Sequence, residues 1–90
     1  MNLFHAVGRA SSKQPALINM AYRGSPQSEN WVSLIGKGVC FDAGGLDIKS
    51  TQGLKTMFLD KSGACSCLVA FQQIVKERLN INVTVTLGMV

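Results

Sequence analysis

The chain has 90 residues and a net charge of +4, and 47% of its residues are hydrophobic while 16% are charged. That length allows one domain at most, and the composition is that of a globular chain rather than a disordered one. The basic residues are scattered and are not interleaved with aromatic side chains, so we expect no nucleic-acid partner. No apolar run approaches the roughly 20 residues that cross a bilayer, and the N-terminal residues lack the apolar core of a secretory signal, so we expect no membrane association.

The cysteines indicate the redox compartment. There are three of them, Cys40, Cys65 and Cys67. An odd number without the spacing of a metal site predicts reduced, partly buried thiols. Because disulfides are rare in reducing compartments, this pattern is typical of a cytosolic protein.

Hydrophobic periodicity predicts three strands and one long helix. Residues 15–22 form a short apolar run with β-formers, and Trp31 opens a second such run. In residues 62–79 apolar side chains recur at steps of three and four, which is one face of a helix. Residues 80–90 alternate apolar with small or polar side chains, as a strand with two distinct faces does. The segments in between are predicted as a loop at 23–30, a continuation or bend of the second strand at 39–42, and an ordered loop at 43–53.

The order of these elements indicates the fold class. Strand, loop, helix and strand make a βαβ unit, so we predict an α/β fold with a mixed, largely parallel sheet. The last strand runs to the end of the sequence without a turn, and no predicted helix is left to cover the second face of the sheet. We therefore expect residues 1–90 to be a piece of a larger α/β domain.

The segment "LIGKGVCFDAGGLDIK", residues 34–49, sets charged side chains among four glycines directly after a buried strand. Burying a charge is costly, so the site must compensate for these charges. A phosphate loop is disfavoured, because the lysine is not followed by Ser or Thr opening a helix. In a purely structural interpretation, Gly44 and Gly45 form a turn, Lys37 pairs with Asp42, and Asp60 caps the helix that follows.

A metal site is the other interpretation of the same segment. Asp42 and Asp60 are hard oxygen donors, and Lys37 donates a lone pair if it loses its proton beside a metal ion. Lys49 stays protonated and stabilises negative charge that develops on a polarised carbonyl. The residues permit this interpretation but do not select it over the structural one.

Four stretches of the sequence together resemble the catalytic domain of the cytosolic leucyl aminopeptidase family: "VGRAS..QPALINMAYRG", "LIGKGVCFDAGGLDIK", "LDKSGAC" and "INVTVTLGMV". The resemblance runs from about Leu3 to Val90. It implies that residues 1–90 are the N-terminal part of the catalytic domain of a metal-dependent aminopeptidase. Such an enzyme removes N-terminal residues of the leucine type from peptides, through a water activated by two metal ions.

The resemblance implies roles for four residues. Lys37 matches a neutral lysine ligand of one metal ion, Asp42 matches a carboxylate that bridges both ions, and Asp60 matches a further ligand on the lysine's side. Lys49 matches the catalytic lysine that polarises the scissile carbonyl. Two divalent cations, zinc or manganese, are the implied cofactors. The resemblance also implies peptide substrates, a cytoplasmic location and, for a complete parent protein, a homohexamer.

Other residues receive no catalytic role. Asp47 is expected to be a solvated loop carboxylate, and His5 a packing or surface residue. Met57 and Phe58 fall in a region that lies beside the substrate pocket in the family. Lys61 stands where many members carry Met.

Two features of the family are missing from these 90 residues. One is a separate N-terminal domain, and the other is a segment of the type N-T-D-A-E-G-R that supplies further metal-binding carboxylates and an arginine. Two adjacent dications need more carboxylate charge than Asp42 and Asp60 offer. We therefore expect the 90 residues alone to be inactive. The alternative is a catalytically dead remnant that acts as a structural or partner-binding piece.

Overall fold

The computed structural model describes residues 2–90. In chain order its elements are helix α1 (Asn2–Gly8), strands β1 (Ala16–Arg23) and β2 (Trp31–Gly38), helix α2 (Thr51–Lys55), a 3₁₀ helix (Met57–Leu59), helix α3 (Ser62–Lys76) and strand β3 (Asn82–Met89). The three predicted strands and the long helix are all present. No helix within residues 2–90 has the length and apolar character needed to cross a membrane.

Helix α3 ends at Lys76, three residues before the end that the periodicity predicts. Arg78 adopts a left-handed conformation with φ 51°. Its N–H donates to the Val75 carbonyl at 3.1 Å, and the Leu79 N–H donates to the Ile74 carbonyl at 3.2 Å. These two bonds form a Schellman motif, which ends a helix while keeping an apolar residue in contact with its last turn. Leu79 therefore continues the apolar period without being helical.

Two short helices were not expected from the sequence. Helix α1 lies in the N-terminal residues, and helix α2 begins at Thr51 inside the segment predicted as a loop. Ser50 is the N-cap of α2, and its hydroxyl accepts a hydrogen bond from the Gly53 N–H at 3.2 Å. Ser50 is the sequence feature that could have predicted the start of this helix, since Ser is a preferred N-cap residue. Strand β2 ends at Gly38, so residues 39–42 do not continue it.

The sheet has the strand order β1-β3-β2 and is mixed. β3 pairs with β1 in the antiparallel direction and with β2 in the parallel direction. Helix α3 makes the crossover between the two parallel strands. The α/β class and the βαβ unit are thus confirmed, and one of the two strand pairings is parallel.

One face of the sheet packs against α3 and forms the core. Ala64 of the helix and Val83, Val85 and Leu87 of the central strand are buried together. Val83 and Val85 are 0% exposed, because β3 has a neighbour on each side and a helix above it. The last strand is therefore interior to the sheet, and its apolar side chains face α3.

The opposite face of the sheet carries polar side chains that bond across the strands. The Thr84 and Ser33 hydroxyls lie 2.9 Å apart, and the Thr86 hydroxyl donates to the Asn19 side-chain carbonyl at 2.9 Å. The ring of Phe4 lies over Gly88, so α1 covers part of this face. The hydrophobic periodicity does not predict this helix.

Leu87→Ala should destabilise the fold by about 3 kcal/mol, because it removes buried methyl groups and leaves a cavity beside α3. Chemical denaturation measures the change in the free energy of unfolding. Leu46→Ala is the control: Leu46 is 109% exposed, so its loss should cost less than about 0.5 kcal/mol. Equal effects at the two positions would contradict this description of the core.

Candidate active site

The four candidate residues lie around the carboxyl end of β2 and the amino end of α3. Lys37 belongs to β2, Asp42 and Lys49 lie in the segment that follows it, and Asp60 immediately follows the 3₁₀ helix. The carboxyl ends of parallel strands are where open α/β sheets bind ligands. The fold therefore brings the charged segment to the edge at which a site is expected.

A turn at Gly44 and Gly45 folds the segment back on itself. Their φ angles are +102° and +91°, a region that glycine adopts without a steric penalty. A Cβ atom at Gly44 would also lie 2.5 Å from the Asp47 carbonyl oxygen. The Lys49 N–H donates to the Ala43 carbonyl at 2.9 Å, which closes the turn. This closure returns Lys49 to Asp42.

Lys49 and Asp42 form a close ion pair. The Lys49 Nζ donates to Asp42 Oδ1 at 2.7 Å, and both side chains are about one-third exposed, at 32% and 30%. The hydrogen bond from Lys49 is the main cause that lowers the pKa of Asp42 from its ordinary value of 3.8. Partial burial opposes this shift, while the charges of Lys49 and Lys37 and the Gly44 N–H add to it. Asp42 is therefore held in its charged form.

Lys37 pairs with Asp60. Its Nζ lies 3.1 Å from Asp60 Oδ1, and the two side chains are 65% and 29% exposed. The structural interpretation of the sequence is correct about the turn at Gly44 and Gly45. It is wrong about the pairing and the cap, because Lys37 does not pair directly with Asp42 and Asp60 does not cap α3. The N-cap position of α3 is Lys61, which makes no capping bond with its side chain.

Met57 connects the two ion pairs. It is the buried residue of the 3₁₀ helix, at 7% exposure. Its Sδ accepts from the Lys49 Nζ at 3.0 Å, and its carbonyl accepts from the Asp60 N–H at 3.0 Å. Sequence reasoning placed Met57 beside a substrate pocket but did not identify this contact with Lys49.

An open cleft of about 890 Å³ lies beside Lys37 and Asp42. Its other wall comes from Ala6 and Val7 of helix α1 and from Ala10, which follows that helix. Sequence reasoning missed this wall, because nothing local in the sequence predicts that α1 folds back over the end of β2. A second, smaller hollow of about 350 Å³ lies at Met57 and Asp60.

The residues given no role lie outside the two ion pairs. His5 and Asp47 are exposed. Lys61 donates from its Nζ to the Phe58 carbonyl at 2.8 Å, which directs its charge toward the 3₁₀ helix. Phe58 itself is 63% exposed.

The donor chemistry suits a divalent cation in part. Two carboxylates and an amine are the kind of oxygen and nitrogen ligands that zinc or manganese accepts. Each carboxylate is balanced by a lysine, and within residues 2–90 no three His, Cys, Asp or Glu side chains come together in a group that could hold a metal ion. The described residues therefore fit part of a metal site.

Comparison with known proteins adds an independent observation. The chain matches the catalytic domain of the cytosol aminopeptidase family over residues 1–90. It is 43% identical over 84 residues to a probable cytosol aminopeptidase of Protochlamydia amoebophila, covering 93% of this chain and 17% of that protein.

Solved structures agree with this match. The crystal structure of the cytosol aminopeptidase from Coxiella burnetii has a TM-score of 0.87 and 39% identity, over 97% of this chain and 19% of that chain. The bottromycin maturation enzyme BotP in complex with Mn has a TM-score of 0.81 and 32% identity, over 96% of this chain and 18% of that one. The 90 residues thus span less than a fifth of the length of these relatives.

The fold is that of an aminopeptidase catalytic domain, over the part of that domain which these residues represent. The chain belongs to the cytosol aminopeptidase family.

In a titration of metal-free protein, Asp42 should ionise below pH 3.8. The Lys49–Asp42 pair stabilises the folded protein while Asp42 is charged. Because folding lowers the pKa of Asp42, this stabilisation is fully present above the pKa that Asp42 has in the unfolded chain. It is lost as the pH falls through the pKa that Asp42 has in the folded protein. Lys49→Met should raise the Asp42 pKa, since the lowering bond is gone while desolvation remains. Carboxyl ¹³C NMR measures both titrations. Lys61→Met is the control and should leave the pKa of Asp42 unchanged. If Lys49→Met also left this pKa unchanged, the pairing of Lys49 with Asp42 would be contradicted.

Proposed function

We propose that residues 1–90 form part of the catalytic domain of a metal-dependent aminopeptidase that removes N-terminal, leucine-type residues from peptides. The observation that carries this proposal is the pairing of Lys37 with Asp60 at 3.1 Å and of Lys49 with Asp42 at 2.7 Å around one strand end. Membership of the family supports the reaction class. A cytoplasmic location and a homohexameric parent protein belong to the same proposal.

Lys37, Asp42 and Asp60 would act as metal ligands. The proposed complete site would hold two divalent ions, either zinc or manganese. A bound metal would supply a Lewis acid and a water of lowered pKa. The solved relative in complex with Mn supports manganese as one candidate. Lys37 must release its proton to act as a ligand, because an ammonium group has no lone pair.

Lys49 would act on the substrate carbonyl. Its ammonium is held between Asp42 Oδ1 and Met57 Sδ, and its side chain is 32% exposed, so it is oriented while still reachable from solvent. A positive charge fixed in this way stabilises an oxyanion without needing to reorganise during the reaction. The hydrogen bond to Asp42 holds the Lys49 Nζ in place.

The described residues alone hold too little negative charge for two dications. Asp42 and Asp60 provide two carboxylates, and no third His, Cys, Asp or Glu within residues 2–90 completes a group with them. We therefore propose that the 90 residues in isolation do not hydrolyse peptides. The alternative, a remnant without catalytic function, is disfavoured by the presence of all four site residues in two contacting pairs.

The isolated chain should bind Mn²⁺, and Asp42→Asn or Asp60→Asn should each weaken this binding by at least about tenfold, because each removes a charged oxygen ligand. Isothermal titration calorimetry measures the dissociation constants. Asp47→Asn is the matched control, since it removes the same charge from the same loop outside the site. Equal losses in all three variants would show binding through net charge only and would contradict the proposed ligands.

A chimera tests the catalytic role. In it, these residues replace the matching segment of the Coxiella burnetii cytosol aminopeptidase, to which they are 39% identical. The chimera should hydrolyse a leucyl-amide substrate with metal present, and Lys49→Met should lower its kcat by about 10²- to 10³-fold. Lys61→Met should leave kcat unchanged.

The isolated chain is measured beside the chimera and should show no hydrolysis. Activity of the isolated chain would refute the proposed incompleteness of its site. A folded, metal-loaded chimera without activity would favour the remnant instead.

A further inference from the structure

Lys37 and Asp60 come from different elements, so their separation depends on how α3 sits against β2. Lys37 is the penultimate residue of β2, and Asp60 lies two residues before Ser62, where α3 begins. Their charged atoms are 3.1 Å apart. Any displacement of the first turn of α3 from β2 carries Asp60 with it and changes this separation.

The backbones of the two elements are in contact at Gly36. A Cβ atom at this position would lie 2.7 Å from the Cα of Ala64 and 2.7 Å from the Cδ2 of Leu87. The leucine tip can rotate away, whereas the Cα of a helix residue moves only with its helix. A side chain at position 36 must therefore displace the start of α3.

The contact is close from the helix side as well. A Cβ atom on Gly63 would lie 3.3 Å from the Lys37 nitrogen and 3.4 Å from the Lys37 carbonyl oxygen. Gly63 of α3 thus packs directly on the backbone of Lys37, which pairs with Asp60. Gly36 and Gly63 do not have positive φ angles. Glycine is needed at these two positions because it has no Cβ atom, and not because of its backbone freedom.

We infer that Gly36 and Gly63 are positioning residues of the site. The close approach of β2 and α3 that they permit sets the distance between Lys37 and Asp60. The consequence for metal binding rests on the proposed function, whereas the effect on the ion pair does not.

Three alanine variants test the inference. Gly36→Ala places a methyl group 2.7 Å from backbone, Gly63→Ala places one at 3.3 Å, and the control Gly53→Ala meets no atom closer than 3.6 Å. Gly53 lies within helix α2, where alanine is favoured over glycine. The Mn²⁺ dissociation constant should rise by about tenfold in Gly36→Ala, by a smaller factor in Gly63→Ala, and by less than about twofold in Gly53→Ala.

A second measurement reports on the ion pair without any metal. The Lys37 Hε–Cε resonance should shift when Asp60→Asn is introduced into wild type or Gly53→Ala, because the ammonium loses its partner. In Gly36→Ala the two charged groups should already be separated, so Asp60→Asn should not shift the Lys37 Hε–Cε resonance. A general loss of stability would not remove this response from a protein that is still folded.

The inference is overturned if Gly36→Ala keeps both the Mn²⁺ affinity of Gly53→Ala and the Lys37 response to Asp60→Asn. If circular dichroism shows that Gly36→Ala is unfolded, Gly63→Ala decides the question by the same two measurements. A wild-type chain that binds no Mn²⁺ would refute the proposed metal site. The Lys37 response would still decide whether the glycines position the pair.

Discussion

Parallel pairing of β2 with β3 is the constraint on which the site depends. Because the two strands run in the same direction, the chain that leaves β2 at Gly38 has to cross back before it can begin β3 at Asn82. Helix α3 makes that crossing, so its amino end lies near the carboxyl end of β2. Lys37 and Asp60 meet there at 3.1 Å. An antiparallel connection would need no such helix, and it would not bring the carboxylate that precedes α3 to this end of β2.

The charges at this edge contribute little to the stability of the fold. The Lys37 side chain is 65% exposed, and exposed ion pairs are worth about 0–1 kcal/mol. Stability comes instead from the side of the sheet that packs on α3, where Val83 and Val85 are completely buried. Among residues 39–61, the buried hydrophobic side chain is that of Met57. Residues 39–61 therefore contribute little to the core, although they hold three of the four charges that form the two lysine–aspartate pairs.

Met57 shows how so lightly packed a segment still has a defined geometry. Its sulfur holds Lys49 and its carbonyl holds the Asp60 N–H, so one buried residue fixes the distance between the two pairs. The Gly44–Gly45 turn fixes the other end by returning Lys49 to Asp42. The site is thus supported at two points, a turn that only glycine adopts easily and a side chain anchored in the interior. Both lie close in sequence to the residues that they orient.

The sequence by itself determined the three strands, the long helix and the charged segment between them. These follow from the hydrophobic periodicity of short segments and from the types of residue in them. The sequence also determined the family, through a motif whose residues are close together in the chain. It did not show that Ser50 begins a helix or that Arg78 ends one, because these depend on a few backbone bonds that other turns could also form.

Only the tertiary structure decided which lysine meets which aspartate. The sequence suggested Lys37 with Asp42, its near neighbour, whereas the fold pairs Lys37 with Asp60 across the crossover. It likewise decided that β1 joins the sheet in the antiparallel direction and that α1 closes one wall of the cleft. Each of these outcomes depends on contacts between residues far apart in the chain. Their geometry is set by strand direction and helix approach rather than by any local pattern.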